Sequence, residues 1–288
     1  MTQEEMAAAE ETPTGVEQLV SLLDVESLGS DLYRANAAAT TERRTLFGGQ
    51  VMAQSLRAAA ATTAEGMFPH SLHAYFLRAG LAAEDLYVQV ERTRDGRNFC
   101  TRQVTARQGD RTLFTMTASF HRGASSAEFQ TPAHDVPPPP KAESLSAAAV
   151  SQLSTGLDFI DESIPTVLPT RPEYLSWVRS QGALPSDRVL HACIMAYLSD
   201  MRANGIAATS IGLVAGGPDR HGAGSVRTTS LDHAMWFHRP GRCDDWLLVN
   251  SVPISTSESR GLIRGSLHDR AGTHLASFTQ ELLIQQDD

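Results

Sequence analysis

The 288 residues, 41% of them hydrophobic, suffice for one large domain or two ordinary ones with a sizeable core. A net charge of −9 with scattered Lys and Arg offers no basic face for nucleic acid, and no apolar run approaches the ~18 residues that would cross a bilayer. Three widely separated cysteines, Cys100, Cys193 and Cys243, suggest neither a disulfide framework nor a zinc knuckle, and the whole reads as a soluble cytoplasmic protein.

The acidic start, "MTQEEMAAAEETPTG", is neither a secretory signal nor a basic transit peptide and is expected to be a disordered tail over residues 1–15. "VEQLVSLLDVESL" follows as a helix. "GGQVMAQSLRAAAATTAEG" is an Ala-rich helix closed by Gly66. After "SLHAYFLRAG", which begins at Ser71, Leu86, Val88 and Val90 alternate with Tyr87, Gln89 and Glu91, the period of a half-buried strand. "CTRQVTARQGDRTLFTMTASF" reads as a hairpin turning at Gly109-Asp110. Residues 123–185, with "VPPPPK" and many Ala and Ser, have linker composition, although "RPEYLSWVRS" is expected to pack onto a domain.

A second helix follows in "SDRVLHACIMAYLSDMRANG". Ser186 or Asp187 can cap its start and Asn204-Gly205 can close it. Leu190, Cys193, Ile194, Tyr197, Leu198 and Met201 form its apolar stripe. "GGPDRHGAGS" lacks dinucleotide spacing and reads as a mobile loop. "SLDHAMWFHRPG", from Ser230, then repeats the earlier phrase, and a strand "DDWLLVNSV" and a hairpin turning near Ala271-Gly272 follow.

Each half is thus a helix followed by an antiparallel sheet. A long helix wrapped by a sheet is the hotdog fold, and a lone unit would expose a sheet edge, so two units on one chain can pair internally. The expectation is an α+β double hotdog, with an N-terminal unit at 16–122, a linker at 123–185 and a C-terminal unit at 186–288.

Standard catalytic motifs (G-x-S-x-G, a P-loop, H-E-x-x-H, C-x-x-C) are absent. His73 and His233 occupy equivalent places in the repeated phrase, which argues for a shared structural role. Differences between the halves say more. Aligned on their turn glycines, Phe114, Met116, Ala118 and Phe120 match Ala276, Phe278, Gln280 and Leu282, so Gln280 interrupts an apolar face. A buried amide needs partners, and a satisfied core Gln is the plain alternative. Asp200 falls beside the apolar stripe in the last turn of its helix, where the macrodipole disfavours an anion; a surface Asp near a frayed end is the plain alternative. Ser230, taken alone, is a strand-entry serine.

"LFGGQVMAQSL", "HSLHAYFLRAG", "LDHAMWFHRPG", "WLLVNSVPISTSESRGLIRG" and "LASFTQE" together resemble the acyl-CoA thioesterase II family, of the double-hotdog type, from about Val16 to Ile284 except in the linker. The resemblance implies hydrolysis of fatty acyl-CoA to fatty acid and CoA, with Asp200, Ser230 and Gln280 as the catalytic set around a water. It implies an acyl-CoA substrate, a homo-oligomer, no cofactor and no metal. Gly48-Gly49 would allow close backbone approach for an oxyanion donor. An enoyl thioester hydratase, a non-catalytic acyl-CoA-binding protein and an inert paralogue are the competing readings; the usual Asp/His pair of the first is not evident.

Overall fold

The computed structural model describes residues 15–36, 44–130, 138–139, 150–153, 157–160, 166–168, 171–215 and 225–286. Residues 1–14 of the expected tail, most of the Pro-rich stretch and 216–224 of the glycine-rich loop lie outside the described residues. The elements of the first half are α1 (Gly15–Leu23), β1 (Val25–Gly29), β2 (Leu32–Ala35), α2 (Gly48–Ala61), β3 (Phe68–Phe76), β4 (Leu86–Asp95), β5 (Phe99–Gln108) and β6 (Arg111–His121). Then come β7 (Val150–Leu153), β8 (Leu157–Ile160), β9 (Thr166–Leu168) and β10 (Arg171–Ser180). The second half has α3 (Arg188–Ser199), α4 (Ala203–Thr209), β11 (Val214–Ala215), β12 (Ser225–Ser230), β13 (Asp232–Phe237), β14 (Leu247–Ser257), β15 (Arg260–Asp269) and β16 (His274–Gln286).

One sheet runs in the order β1-β2-β4-β5-β6-β3-β13-β16-β15-β14-β10-β8-β7. Its centre is the antiparallel pair β3·β13, in register from Ser71↔Trp236 to Tyr75↔Asp232. On either side the order is mirrored: β3, β6, β5, β4 and β2 answer to β13, β16, β15, β14 and β10. Strand β10, "RPEYLSWVRS", therefore stands on β14 in the place that β2 holds on β4. Pairing the two inner strands removes an unsatisfied edge from each unit. The result is the double hotdog that the internal repeat implies.

The two long helices lie against each other on the concave side. Met52, Ala53, Leu56, Ala58 and Ala59 of α2 are fully buried, and Leu190 to Ser199 of α3 are buried throughout. Small side chains let the helices approach closely: a Cβ on Gly49 would lie 2.7 Å from the Tyr197 carbonyl oxygen. Arg57 on α2 bonds Asp187 at 2.6 Å, and Asp187 Oδ1 also caps α3 by accepting from the N–H of Val189 and Leu190. Opposite the helices, Phe114, Met116, Ala118 and Phe120 on β6 and Ala276, Phe278, Gln280 and Leu282 on β16 all face inward, each no more than 1% exposed. Both hairpin glycines adopt the left-handed conformation, Gly109 at φ 58° and Gly272 at φ 82°.

Three details differ from the sequence expectation. The N-terminal helix stops at Leu23, and its "VESLG" end is β1, hydrogen-bonded to β2. Helix α3 ends at Ser199, and Asn204-Gly205 lies inside α4. Asp200 is the C-cap, and its side chain takes partners on β12 and β16 that outweigh the local Asn-Gly stop signal. His73 and His233 are not equivalent. Leu72 opposes Ala118 as His233 opposes Gln280, and Phe76 opposes Phe114 as Phe237 opposes Ala276. The repeat is therefore aligned on its phenylalanines, not on its His-Ala pairs, and a slip of one residue turns a strand side chain to the other face. His73 is exposed and His233 is 1% exposed.

Gly265 faces Phe278 across β15 and β16. A methyl group there would overlap the Phe278 ring, which stacks at 5.7 Å on His233. Gly265→Ala should lower stability by ~1–3 kcal/mol through overpacking, read from urea unfolding; an unchanged midpoint would contradict this account of the sheet.

Candidate active site

A cleft of about 260 Å³ opens between the halves. One wall comes from the first half: Phe47, Gly48 and Val51 at the start of α2, and Phe76 to Gly80 after β3. The other comes from the second half: Asp200 and Thr228 to Ser230. The three residues singled out in the sequence meet here. Gln280 Nε2 donates to Asp200 Oδ1 at 2.5 Å and to Ser230 Oγ at 2.7 Å, and Ser230 Oγ donates to Asp200 Oδ1 at 3.3 Å. Each side chain is aimed by a different local feature. Asp200 is the αR-region C-cap of α3. Ser230 ends β12, before the chain steps past Leu231 into β13. Gln280 points inward because β16 alternates strictly at this point.

Asp200 is 5% exposed and Gln280 fully buried, so both need the partners they have. The other carboxylate oxygen, Oδ2, faces the first turn of α2: a Cβ on Gly48 would lie 2.8 Å from it. Phe47, the N-cap, supplies no side-chain acceptor. The amide N–H groups of Gly48 and Gly49 therefore begin the helix at the cleft, where a helix N-terminus favours negative charge.

His233 completes the cluster. Its Nδ1 is 3.0 Å from Gln280 Oε1 and its Nε2 is 2.9 Å from Ser199 Oγ. The carboxylate at 2.5 Å requires the NH₂ end of Gln280, so Oε1 faces the imidazole. An amide oxygen only accepts; Nδ1 therefore carries the proton. Burial pushes the His233 pKa down to about 4, against the hydrogen bond to Gln280, so the ring is neutral. Nε2 is then an acceptor facing the Ser199 hydroxyl, whose one proton is shared between it and Ala196 O at 2.8 Å. The chain of hydrogen bonds runs from Ser199 through His233 and Gln280 to the accepting carboxylate of Asp200. Sequence reasoning missed this role because it matched His233 with His73; aligning the repeat on Phe76 and Phe237 would have set His233 against Leu72 and exposed a polar residue at a core position.

The first half has no such cluster. The positions answering to Asp200, Ser230 and Gln280 are Thr62, the C-cap of α2; Pro69, which opposes Phe120 as Ser230 opposes Leu282; and Ala118. The space is filled by Arg102, 1% exposed, which bonds Thr62 Oγ1 at 2.7 Å, Thr62 O at 3.1 Å and Asp95 at 2.5 Å. Among the described residues, no group of three or more His, Cys, Asp and Glu side chains is placed to hold a metal ion, and no described helix is long and apolar enough to cross a membrane.

Residues 37–121 match the family model described as acyl-CoA thioesterase N-terminal domain, and residues 170–283 match the model described as acyl-CoA thioesterase. Acyl-coenzyme A thioesterase 8 of Homo sapiens is 32% identical over 93% of this chain and 88% of its own. The chain belongs to the acyl-CoA thioesterase family. The crystal structure of the acyl-CoA thioesterase II TesB2 of Mycobacterium marinum superposes on the thioesterase with a TM-score of 0.78 at 33% identity, covering 94% of this chain and 98% of that one. A hot-dog-fold protein of Alicyclobacillus acidocaldarius shares the fold at 18% identity and a TM-score of 0.69.

The depressed His233 pKa gives the thioesterase a pH signature. As pH drops below the ordinary histidine value of 6.5, the unfolded chain takes up a proton here that the folded chain refuses until about 4, so stability is lost over that window. Unfolding free energies measured in urea at about pH 7.5 and about pH 5 should show this loss, and His233→Gln should show less of it. Equal losses in the two proteins would contradict the buried neutral imidazole.

Proposed function

We propose that the thioesterase hydrolyses fatty acyl-CoA to free fatty acid and CoA with a water held by Asp200, Ser230 and Gln280. The observation that carries this reading is the hydrogen-bonded cluster: one buried carboxylate whose Oδ1 is held by an amide and a hydroxyl, and whose Oδ2 faces the open cleft and a helix N-terminus. A thioester carbonyl is already electrophilic and thiolate leaves readily, so the reaction needs a positioned, partly deprotonated water and a donor for the developing oxyanion.

In this mechanism the thioester lies in the cleft with its carbonyl oxygen toward the N–H groups of Gly48 and Gly49. Gln280 and Ser230 fix Asp200 through its Oδ1, and Oδ2 holds the water in the cleft. As the water oxygen bonds to the carbonyl carbon, its proton passes to the Asp200 carboxylate. Collapse of the tetrahedral intermediate breaks the C–S bond, and the departing sulfur takes the proton from Asp200. Phe47, Val51, Phe76, Leu113 and Phe114 offer the acyl chain an apolar wall. Every step uses side chains, backbone N–H groups and water, without cofactor or metal.

Further parts of the reading go with it. The first unit spans 16–122 and the second 186–288 together with β10 from the segment between, and the second unit carries the chemistry, since Thr62, Pro69 and Ala118 supply no general base. The protein works in the cytoplasm as a homo-oligomer; Tyr75 and Trp236, exposed on the outer face of the central strands, support self-association. With a net charge of −9, nucleic acid is not a partner.

Asp200→Asn keeps the shape and removes the base. Free-thiol release from palmitoyl-CoA should fall by about 10²–10⁴-fold in kcat, with acyl-CoA binding retained. Wild-type kcat in this variant would sink the assignment, and wild-type protein that binds acyl-CoA but releases no thiol would point to a binding protein instead.

A further inference from the structure

The internal twofold that carries β3 onto β13 also carries the active cleft onto a second cleft, of about 150 Å³. The correspondence is close in the backbone. After β3, the N–H groups of Leu77 and Arg78 both reach Leu113 O, at 2.8 and 3.1 Å; after β13, those of His238 and Arg239 both reach Leu275 O, at 2.7 and 3.2 Å. Arg78 Nη1 bonds Thr112 O and Arg239 Nη1 bonds His274 O, at 2.9 and 3.1 Å. The second cleft lies between the first turns of α3 and the ends of β3, β6 and β13, where the active cleft has the start of α2 and the ends of β12 and β3.

Its chemistry is different. The lining contains Arg122, Arg188 and Arg239 together with His70, His121 and His238, and no Asp or Glu. Arg239 is paired with the exposed Glu128 at 3.1 Å. The guanidinium groups of Arg122 and Arg188 have no carboxylate partner among the described residues. Arg188 is held in place by the Phe68 ring, its Cζ 3.6 Å from the centroid. His70 donates to or accepts from Ser119 at 2.8 Å and stands 6.2 Å from His121. At the corresponding positions the active half carries Leu231 for His70, Leu283 for His121 and Ile284 for Arg122. His70, His121 and Arg122 therefore belong to this cleft alone, whereas Arg239 answers to Arg78 of the active cleft.

We propose that this second cleft is an anion-binding site, taking the phosphate or carboxylate head of a small molecule between Arg122 and Arg188. A planar guanidinium already fixed against an aromatic ring loses little freedom on pairing with an oxyanion, and Arg122, lining the same cleft, adds a second positive charge. Phe68, Ala192, Met195 and Phe237 supply an apolar floor for the first carbons behind the head. Two sources provide this chemistry in the reaction's own products: the phosphates of CoA and the carboxylate of a fatty acid.

The test uses the full chain and begins with inorganic phosphate. Phosphate should raise the thermal midpoint of the wild-type protein saturably, as a ligand that binds only the folded state must. Arg188→Gln and Arg122→Gln should each weaken that effect about tenfold or more, the loss of one charge-assisted hydrogen bond, while Arg188→Lys should retain part of it. Thioester hydrolysis without phosphate should be unchanged in all three variants. Competition against phosphate by 3′,5′-ADP or by octanoate then tells the two sources apart. No saturable effect in the wild type, or an effect of full strength in both Gln variants, would overturn the proposal, whatever the outcome for catalysis at Asp200.

Discussion

A single buried carboxamide governs the geometry of the active cleft. Gln280 has one accepting end and one donating end, and the two are nearly the same shape. Only the donating end can meet the Asp200 carboxylate, and only a ring N–H can meet the other end. His233 supplies that N–H because burial keeps the ring neutral and Ser199 donates to its second nitrogen. Turning the amide over would set oxygen against carboxylate and leave an imidazole N–H unpaired, each a costly loss for side chains as buried as Gln280 and His233. The orientation of the amide in turn decides where Asp200 Oδ1 and Ser230 Oγ sit. Packing behind the network is equally specific: Gly265 leaves room for the Phe278 ring, and that ring stacks on His233.

Duplication explains why this network exists only once. Both halves present the same backbone to the cleft between them, down to the paired N–H groups on Leu113 O and Leu275 O. Side chains then diverge at matched positions. Where the second half has Asp200, Ser230 and Gln280, the first has Thr62, Pro69 and Ala118, and Arg102 fills the remaining space with its donors spent on Thr62, Arg94, Thr101 and Asp95. The halves still depend on each other. The first half contributes the start of α2 to the cleft served by the second half, and Gly48 and Gly49 are glycines because Asp200 and the Tyr197 carbonyl lie within 3 Å of where their side chains would be.

Much of this is legible in the chain. Period-two alternation at Leu86, Val88 and Val90 marks β4, and the repeated phrase marks β3 and β13. Gln280 stands out because it breaks an apolar face that its counterpart strand keeps intact, and Asp200 because an acid sits beside a helix stripe. The misses share one cause, in that tertiary contacts settle what local signals leave open. Asn204-Gly205 is a good stop signal, yet α3 ends at Ser199 because the Asp200 side chain is held from β12 and β16. His73 and His233 look alike in sequence, but strand register puts one in solvent and the other behind the cluster of Asp200, Ser230 and Gln280. The end of "VEQLVSLLDVESL" pairs with β2 rather than prolonging α1, a choice made by the neighbouring strand.

His233 acts on the cleft through Gln280. A double-mutant cycle on kcat for palmitoyl-CoA hydrolysis tests it most directly. His233→Phe, which keeps a ring of similar shape against Phe278, should lower kcat with KM little changed in the wild-type background. In a Gln280→Ala background the same substitution should cost nothing further, because the amide it orients is gone. Full additivity of the two losses would show that His233 contributes independently of Gln280 and would contradict the account.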